Sequence, residues 1–168
     1  WLECRGSVYH QHSAFYPVIE LLERAAGITR QDRDEEKLAK IQTELAPLMA
    51  NGQEDVPLYA ALFSLPVPVP AGDPSPRLSP QRQKQRTLEA LVGGVLTRAQ
   101  QQPVLLILED LQWMDPSTLE LIELIVDHTP KAPMLTLLTF RPDFRPPWAS
   151  RAHQSPLTLN RLTRQQTE

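Results

Sequence analysis

One cysteine, Cys4, is all that this 168-residue chain contains, so no internal disulfide framework supports its fold. A lone thiol agrees with a reducing cytosol, and its expected role is that of a small buried hydrophobe in a strand. No apolar run approaches the ~20 residues that span a bilayer. No basic stretch leads into an apolar one, so no signal peptide is visible. Charge of neither sign dominates. The net charge of −3 and pI near 5.8 leave no electrostatic footprint for nucleic acid or for an anionic membrane. Zinc-type cysteine and histidine spacing, a Ser-His-Asp set and internal repeats are all missing. His10 and His12 flank Gln11 in a polar stretch with no third ligand nearby, which reads as a turn rather than a metal site.

What remains is a chain with ordinary proportions, 41% hydrophobic and 22% charged, long enough for one domain with a real core. These features together predict a cytoplasmic protein. Leu2 to Cys4 reads as a short strand. A helix opens at Pro17, with Val18, Leu21, Leu22 and Ala25 on one face and Gly27 placed to end it. Acids from Asp32 to Glu36 favour the start of a second helix, whose apolar positions run Leu38, Ile41, Leu45, Leu48, Met49. A third, shorter helix is expected through Leu58 to Leu65. Pro66, Pro68, Pro70, Pro74, Pro76 and Pro80 then impose an extended loop inside the domain. Ser79-Pro80 caps a long helix to about Gln102, and its Gly93-Gly94 pair predicts close packing against a sheet.

The most informative stretch follows. Val104-Leu105-Leu106-Ile107-Leu108 is apolar on both faces, the mark of a strand buried in the centre of a parallel sheet. It ends in Glu109 and Asp110, with Asp115 five residues after Asp110. Chemistry in open α/β sheets collects at the carboxyl ends of strands, and two carboxylates there suit a hard cation such as Mg²⁺ beside a nucleotide phosphate. Adjacent strand side chains point to opposite faces, so the two acids need not share a role. Asp115-Pro116-Ser117 begins another helix, which gives Asp115 a capping role beside any contact with a ligand. Trp113 reads as a packed aromatic. Pro133 to Phe140 is a further buried strand, and Leu157 to Leu159 a last short one. Strands alternating with helices predict an α/β fold, a parallel sheet with helices on both faces.

Three segments carry a resemblance to a known family. They are Cys4 to Pro17, Val104 to Leu121 with Glu109-Asp110-Leu111-Gln112-Trp113-Met114-Asp115-Pro116 at its centre, and Leu137-Leu138-Thr139-Phe140-Arg141-Pro142-Asp143. The chain resembles the AAA-type P-loop ATPase module of STAND signalling proteins, the multidomain bacterial proteins that join it to a cyclase or DNA-binding domain and to helical repeats. The middle segment is the specific one.

The resemblance implies a three-layer P-loop NTPase-like domain over residues 1–168, with a Walker B strand at 103–110 and a sensor strand at 133–141. Glu109 would sit near Mg²⁺ and Asp110 would orient or deprotonate the attacking water, or the two acids would exchange these roles, and Arg141 would sense or stabilise the γ-phosphate charge. Thr139 is the candidate polar sensor, and Asp115 a candidate nucleotide contact. ATP with Mg²⁺ is the implied cofactor, and the partners implied are the other domains of one polypeptide, with nucleotide-dependent self-association. One departure is large: G-x-x-x-x-G-K-[ST], the loop that cradles phosphates, occurs nowhere in the sequence. Trp1 opens within a strand and Thr163 to Glu168 begins a helix, so the expectation is a fragment lacking its first strand and P-loop, inactive alone. A binding or interaction module without turnover, and an unrelated α/β domain, are the alternatives.

Overall fold

The computed structural model describes residues 1–66 and 79–159. Strand β1 (Leu2–Arg5) leads into helix α1 (Tyr16–Ala26), followed by α2 (Asp34–Glu44), α3 (Val56–Leu62) and the long α4 (Pro80–Gln101). Strand β2 (Val104–Glu109), helix α5 (Pro116–His128) and strand β3 (Met134–Leu138) complete the regular elements. The strands form one parallel sheet in the order β1-β2-β3, with Cys4 opposite Leu108, Arg5 opposite Glu109 and Leu108 opposite Leu138. All their carboxyl ends therefore lie at one edge.

Alternation along β2 decides the layering. Val104, Leu106 and Leu108 are buried under the helices with Cys4, while Leu105 and Ile107 are only half-buried. Their neighbours on that second face, Leu135 and Leu137, are 66% and 47% exposed. Among the described residues the helices cover one face, not the two expected from the unbroken apolar run. A run without polar positions permits burial on both faces; it does not supply the second layer.

The core joins Val18, Leu22 and Ala26 of α1, Leu88, Leu91, Val92 and Ala99 of α4, and Leu121, Ile122, Ile125 and Val126 of α5 to the inner sheet face. Helix α1 ends at Gly27, whose φ of 62° is the left-handed conformation that the sequence placed there. Helix α2 stops at Glu44, short of the expected Met49. Pro47 lacks the amide and crowds the preceding turn, so Ala46–Leu48 tightens into a 3-10 turn. Helix α3 begins and ends earlier than expected, at Val56 and Leu62.

The glycines in α4 have a different neighbour from the one anticipated. A side chain at Gly94 would strike the Leu48 carbonyl and come 2.9 Å from the Tyr59 hydroxyl, and one at Gly93 would meet Ala50 at 2.9 Å. They make room for the turn after α2, not for the sheet. The expected strand at Leu157 to Leu159 does not form: the two leucines are 86% and 93% exposed and pair with no strand. Two leucines make a strand only where they reach a sheet edge, and the chain before them is tied elsewhere, by buried Trp148 and by Arg151 donating to Asp127 at 2.7 Å. Most of the proline-rich stretch (67–78) and the expected helix start at 163–168 lie outside the described residues.

Two predictions arise from this packing. Gly94→Ala removes a helix penalty of about 1 kcal/mol yet forces apart Leu48 and Tyr59, whose hydroxyl donates to the Leu48 carbonyl at 3.2 Å. A net loss of about 1 to 3 kcal/mol is expected in urea unfolding; a stabilised variant would contradict the contact. Burial pushes the Cys4 thiol up to about 12. Its alkylation at pH 8 should track unfolding, remaining slow in the native protein and becoming fast in denaturant.

Candidate functional site

The carboxyl edge of the sheet begins where β2 stops being a strand. Asp110 has a φ of 57°, a left-handed conformation that costs about 1 to 2 kcal/mol for most residues and less for Asp. Its amide donates to the Thr139 hydroxyl at 3.2 Å, and its carbonyl accepts from the Trp113 amide at 2.9 Å, so contacts from both sides hold the bend. The bend also changes the expected relation of the two acids. Side-chain alternation ends with Glu109, and both carboxylates come within reach of one guanidinium. Arg5 Nε lies 3.0 Å from Asp110 Oδ2 and 3.9 Å from Glu109 Oε2.

Arg5 was not singled out in the sequence. The signal was its place at the end of β1, which parallel pairing sets beside the end of β2. The hydrogen bond to Asp110, and then the charges of Asp110 and Glu109, hold its guanidinium still more firmly in the charged form. Arg5 is 70% exposed, and water and salt screen pairs of that kind so that they add little to stability. The two acids thus share one positive partner that is easily displaced.

Gly6 allows this approach. Its amide donates to the Glu109 carbonyl at 2.8 Å, and any side chain there would strike the Asp110 carbonyl oxygen. Across the sheet, the ladder between β2 and β3 continues past the strands: Thr139 N donates to Leu108 O at 2.9 Å and Leu111 N to Thr139 O at 3.1 Å. Two residues later the Arg141 guanidinium lies over the Trp113 ring, 5.4 Å from its centre. Trp113 is a platform for a cation as well as a packed aromatic. Gln112, also missed in the sequence, donates to Asp110 Oδ1 at 3.1 Å and accepts from the Arg141 amide at 3.2 Å.

Asp115 stands apart from this edge. It is 1% exposed, and its Oδ1 accepts from the amides of Ser117 and Thr118, capping α5, and from the amide of Phe15 at 3.1 Å. Its Oδ2 accepts from the Thr118 hydroxyl. With its oxygens so occupied, Asp115 is a cap and a tie to the turn before α1, not a side chain open to a ligand. His10 stacks on Tyr16 with ring centres 3.6 Å apart, and no cluster of three or more metal-ligating side chains occurs among the described residues.

The structure therefore brings Glu109, Asp110, Thr139 and Arg141 to one edge and leaves Asp115 behind it. An open parallel sheet with acids at its carboxyl edge defines an α/β protein of the class whose ligands bind beyond the ends of the strands. Residues 1–138 match the sequence model for the AAA ATPase domain, and the chain belongs to that family of nucleotide-binding and hydrolysing modules. No curated protein and no solved structure matches it. No helix among the described residues is long and apolar enough to cross a membrane.

Membership implies ATP, usually with Mg²⁺. The donor set fits such a cation: Mg²⁺ takes one or two carboxylates and completes its shell with water and phosphate oxygens. Glu109 and Asp110, both about one-third exposed, are hard oxygen donors able to fill that share.

Asp115→Ala removes a cap of about 1 kcal/mol and orphans the buried Phe15 amide, at a further cost of about 1 to 3 kcal/mol. Chemical denaturation should show a loss of about 2 to 4 kcal/mol. A loss under 1 kcal/mol would mean that the buried carboxylate ties nothing together.

Proposed function

We propose that these residues form the Walker B to sensor portion of an ATP-hydrolysing switch module within a larger signalling or regulatory polypeptide. The observation that carries the reading is the convergence of Glu109, Asp110, Thr139 and Arg141 on one sheet edge in a chain of the AAA ATPase domain family. In this reading Glu109 would help to hold Mg²⁺, and Asp110 would orient the attacking water and accept its proton. Bound Mg²⁺ draws charge from the phosphate oxygens. Thr139 fixes the bend at Asp110, and Arg141 reaches the γ-phosphate from its seat on Trp113. Asp115 serves the nucleotide indirectly, by holding the turn after β2.

Catalysis of this kind rests on positioning and charge, with little covalent work for the protein. The 168 residues hold no phosphate-cradling loop, so the triphosphate would need a cradle from other chain. The likeness to STAND proteins supports a module whose nucleotide state alters its packing on neighbouring cyclase, DNA-binding or helical-repeat domains, with self-association as a further consequence.

A second reading, nucleotide binding without turnover, draws on Arg5, which already pairs with Asp110 and lies 3.9 Å from Glu109. ATP hydrolysis and ATP binding by the full encoded polypeptide separate the two. Glu109→Gln and Asp110→Asn should each cut turnover by at least about 100-fold while ATP still binds. Tight binding with no turnover in the unaltered protein would select the second reading, and neither binding nor turnover would end both.

A further inference from the structure

We propose that Gln112 is a positioning residue for this chemistry: its carboxamide fixes the Asp110 carboxylate relative to Arg141. The inference rests on the hydrolytic reading above and adds to it a residue with no charge of its own.

Asp110 and Arg141 lie on different connections, one leaving β2 and the other leaving β3. Ties through Thr139 hold the two main chains together, but they reach only backbone groups, the Leu108 carbonyl and the amides of Asp110 and Leu111. Gln112 reaches the carboxylate itself. Its Nε2 donates to Asp110 Oδ1 at 3.1 Å, and its Oε1 accepts from the Arg141 amide at 3.2 Å. The partners settle which way the amide points, since a carboxylate takes only a donor and a backbone N–H only an acceptor. Glutamine has both groups on one rigid plane. No hydrophobic or singly functional side chain of that length spans the same gap.

The two oxygens of Asp110 are thus held differently. Oδ2 meets the charge of Arg5 at 3.0 Å, and Oδ1 meets the neutral amide of Gln112. A neutral donor fixes the plane of the carboxylate without cancelling its charge. A carboxylate held in one plane keeps its direction toward an attacking water. The Arg141 amide, held by the other end of the same group, places the guanidinium over Trp113 two residues past Thr139.

The test uses ATP turnover by the full encoded polypeptide. Gln112→Met keeps the length and removes both hydrogen bonds; kcat should fall about 10- to 100-fold, with KM for ATP and the melting temperature little changed. Gln112→Glu keeps the acceptor for Arg141 and places a second carboxylate against Asp110. Its kcat should fall as far as that of Gln112→Met, since the donor to Asp110 is lost. In an Asp110→Asn background, Gln112→Met should cost nothing further.

If Gln112→Met turns over like the unaltered protein while Asp110→Asn does not, the inference is wrong and the hydrolytic reading stands. A kcat loss that persists undiminished beside Asp110→Asn, or that appears only with a lowered melting temperature, overturns it as well. Absence of turnover in the unaltered polypeptide sinks both.

Discussion

A single buried carboxylate, that of Asp115, ties together the two turns on which the rest depends. It caps the helix that follows β2 and also accepts from Phe15, in the turn that follows β1. Phe15 itself has a φ of 59°, so its amide is presented by a conformation that little else would hold. An ion withdrawn this far from water persists only when fully hydrogen-bonded, and these donors meet that requirement. The result is that β1 and β2 leave the sheet in a fixed relation. The ladder between the strands sets Arg5 beside Glu109, and the tie keeps the turns that follow in step with it.

At the edge itself the individual contacts are weak and their arrangement matters more than their sum. Exposed ion pairs and a cation over an indole each add little in water and salt. The geometry comes instead from the backbone: the left-handed Asp110, the glycine at position 6, and the ladder that runs on through Thr139. Rigid main chain beneath lightly held side chains is a reasonable construction for a site that must exchange its occupants.

Much of the fold was legible because its signals are local. Proline at the first turn of α1, α4 and α5, glycine after α1, and the apolar spacing of α4 and α5 each act within a few residues. Glu109 and Asp110 announced themselves by interrupting an apolar run. Pro47 is a local stop signal for α2, but the apolar spacing that runs on through Leu48 and Met49 masks it. What stayed hidden needs the third dimension. Arg5 becomes a neighbour of the acids only through strand register, and Gln112 a bridge only through the bend at Asp110. The company of Gly94 depends on a turn more than forty residues earlier in the chain. The missing helical layer over Leu135 and Leu137 was equally unreadable, since an apolar strand does not say which of its faces will be covered.

The parallel register carries one more consequence. Leu106 and Leu108 face the helices, and Glu109 faces away from them. A slip of one residue along β2 would exchange Leu106 and Leu108 for Leu105 and Ile107 under the helices and drive Glu109 in beside them. Drift in the position of the charges therefore costs the core at once. Selection for a folded chain and selection for a placed carboxylate act here on the same coordinate.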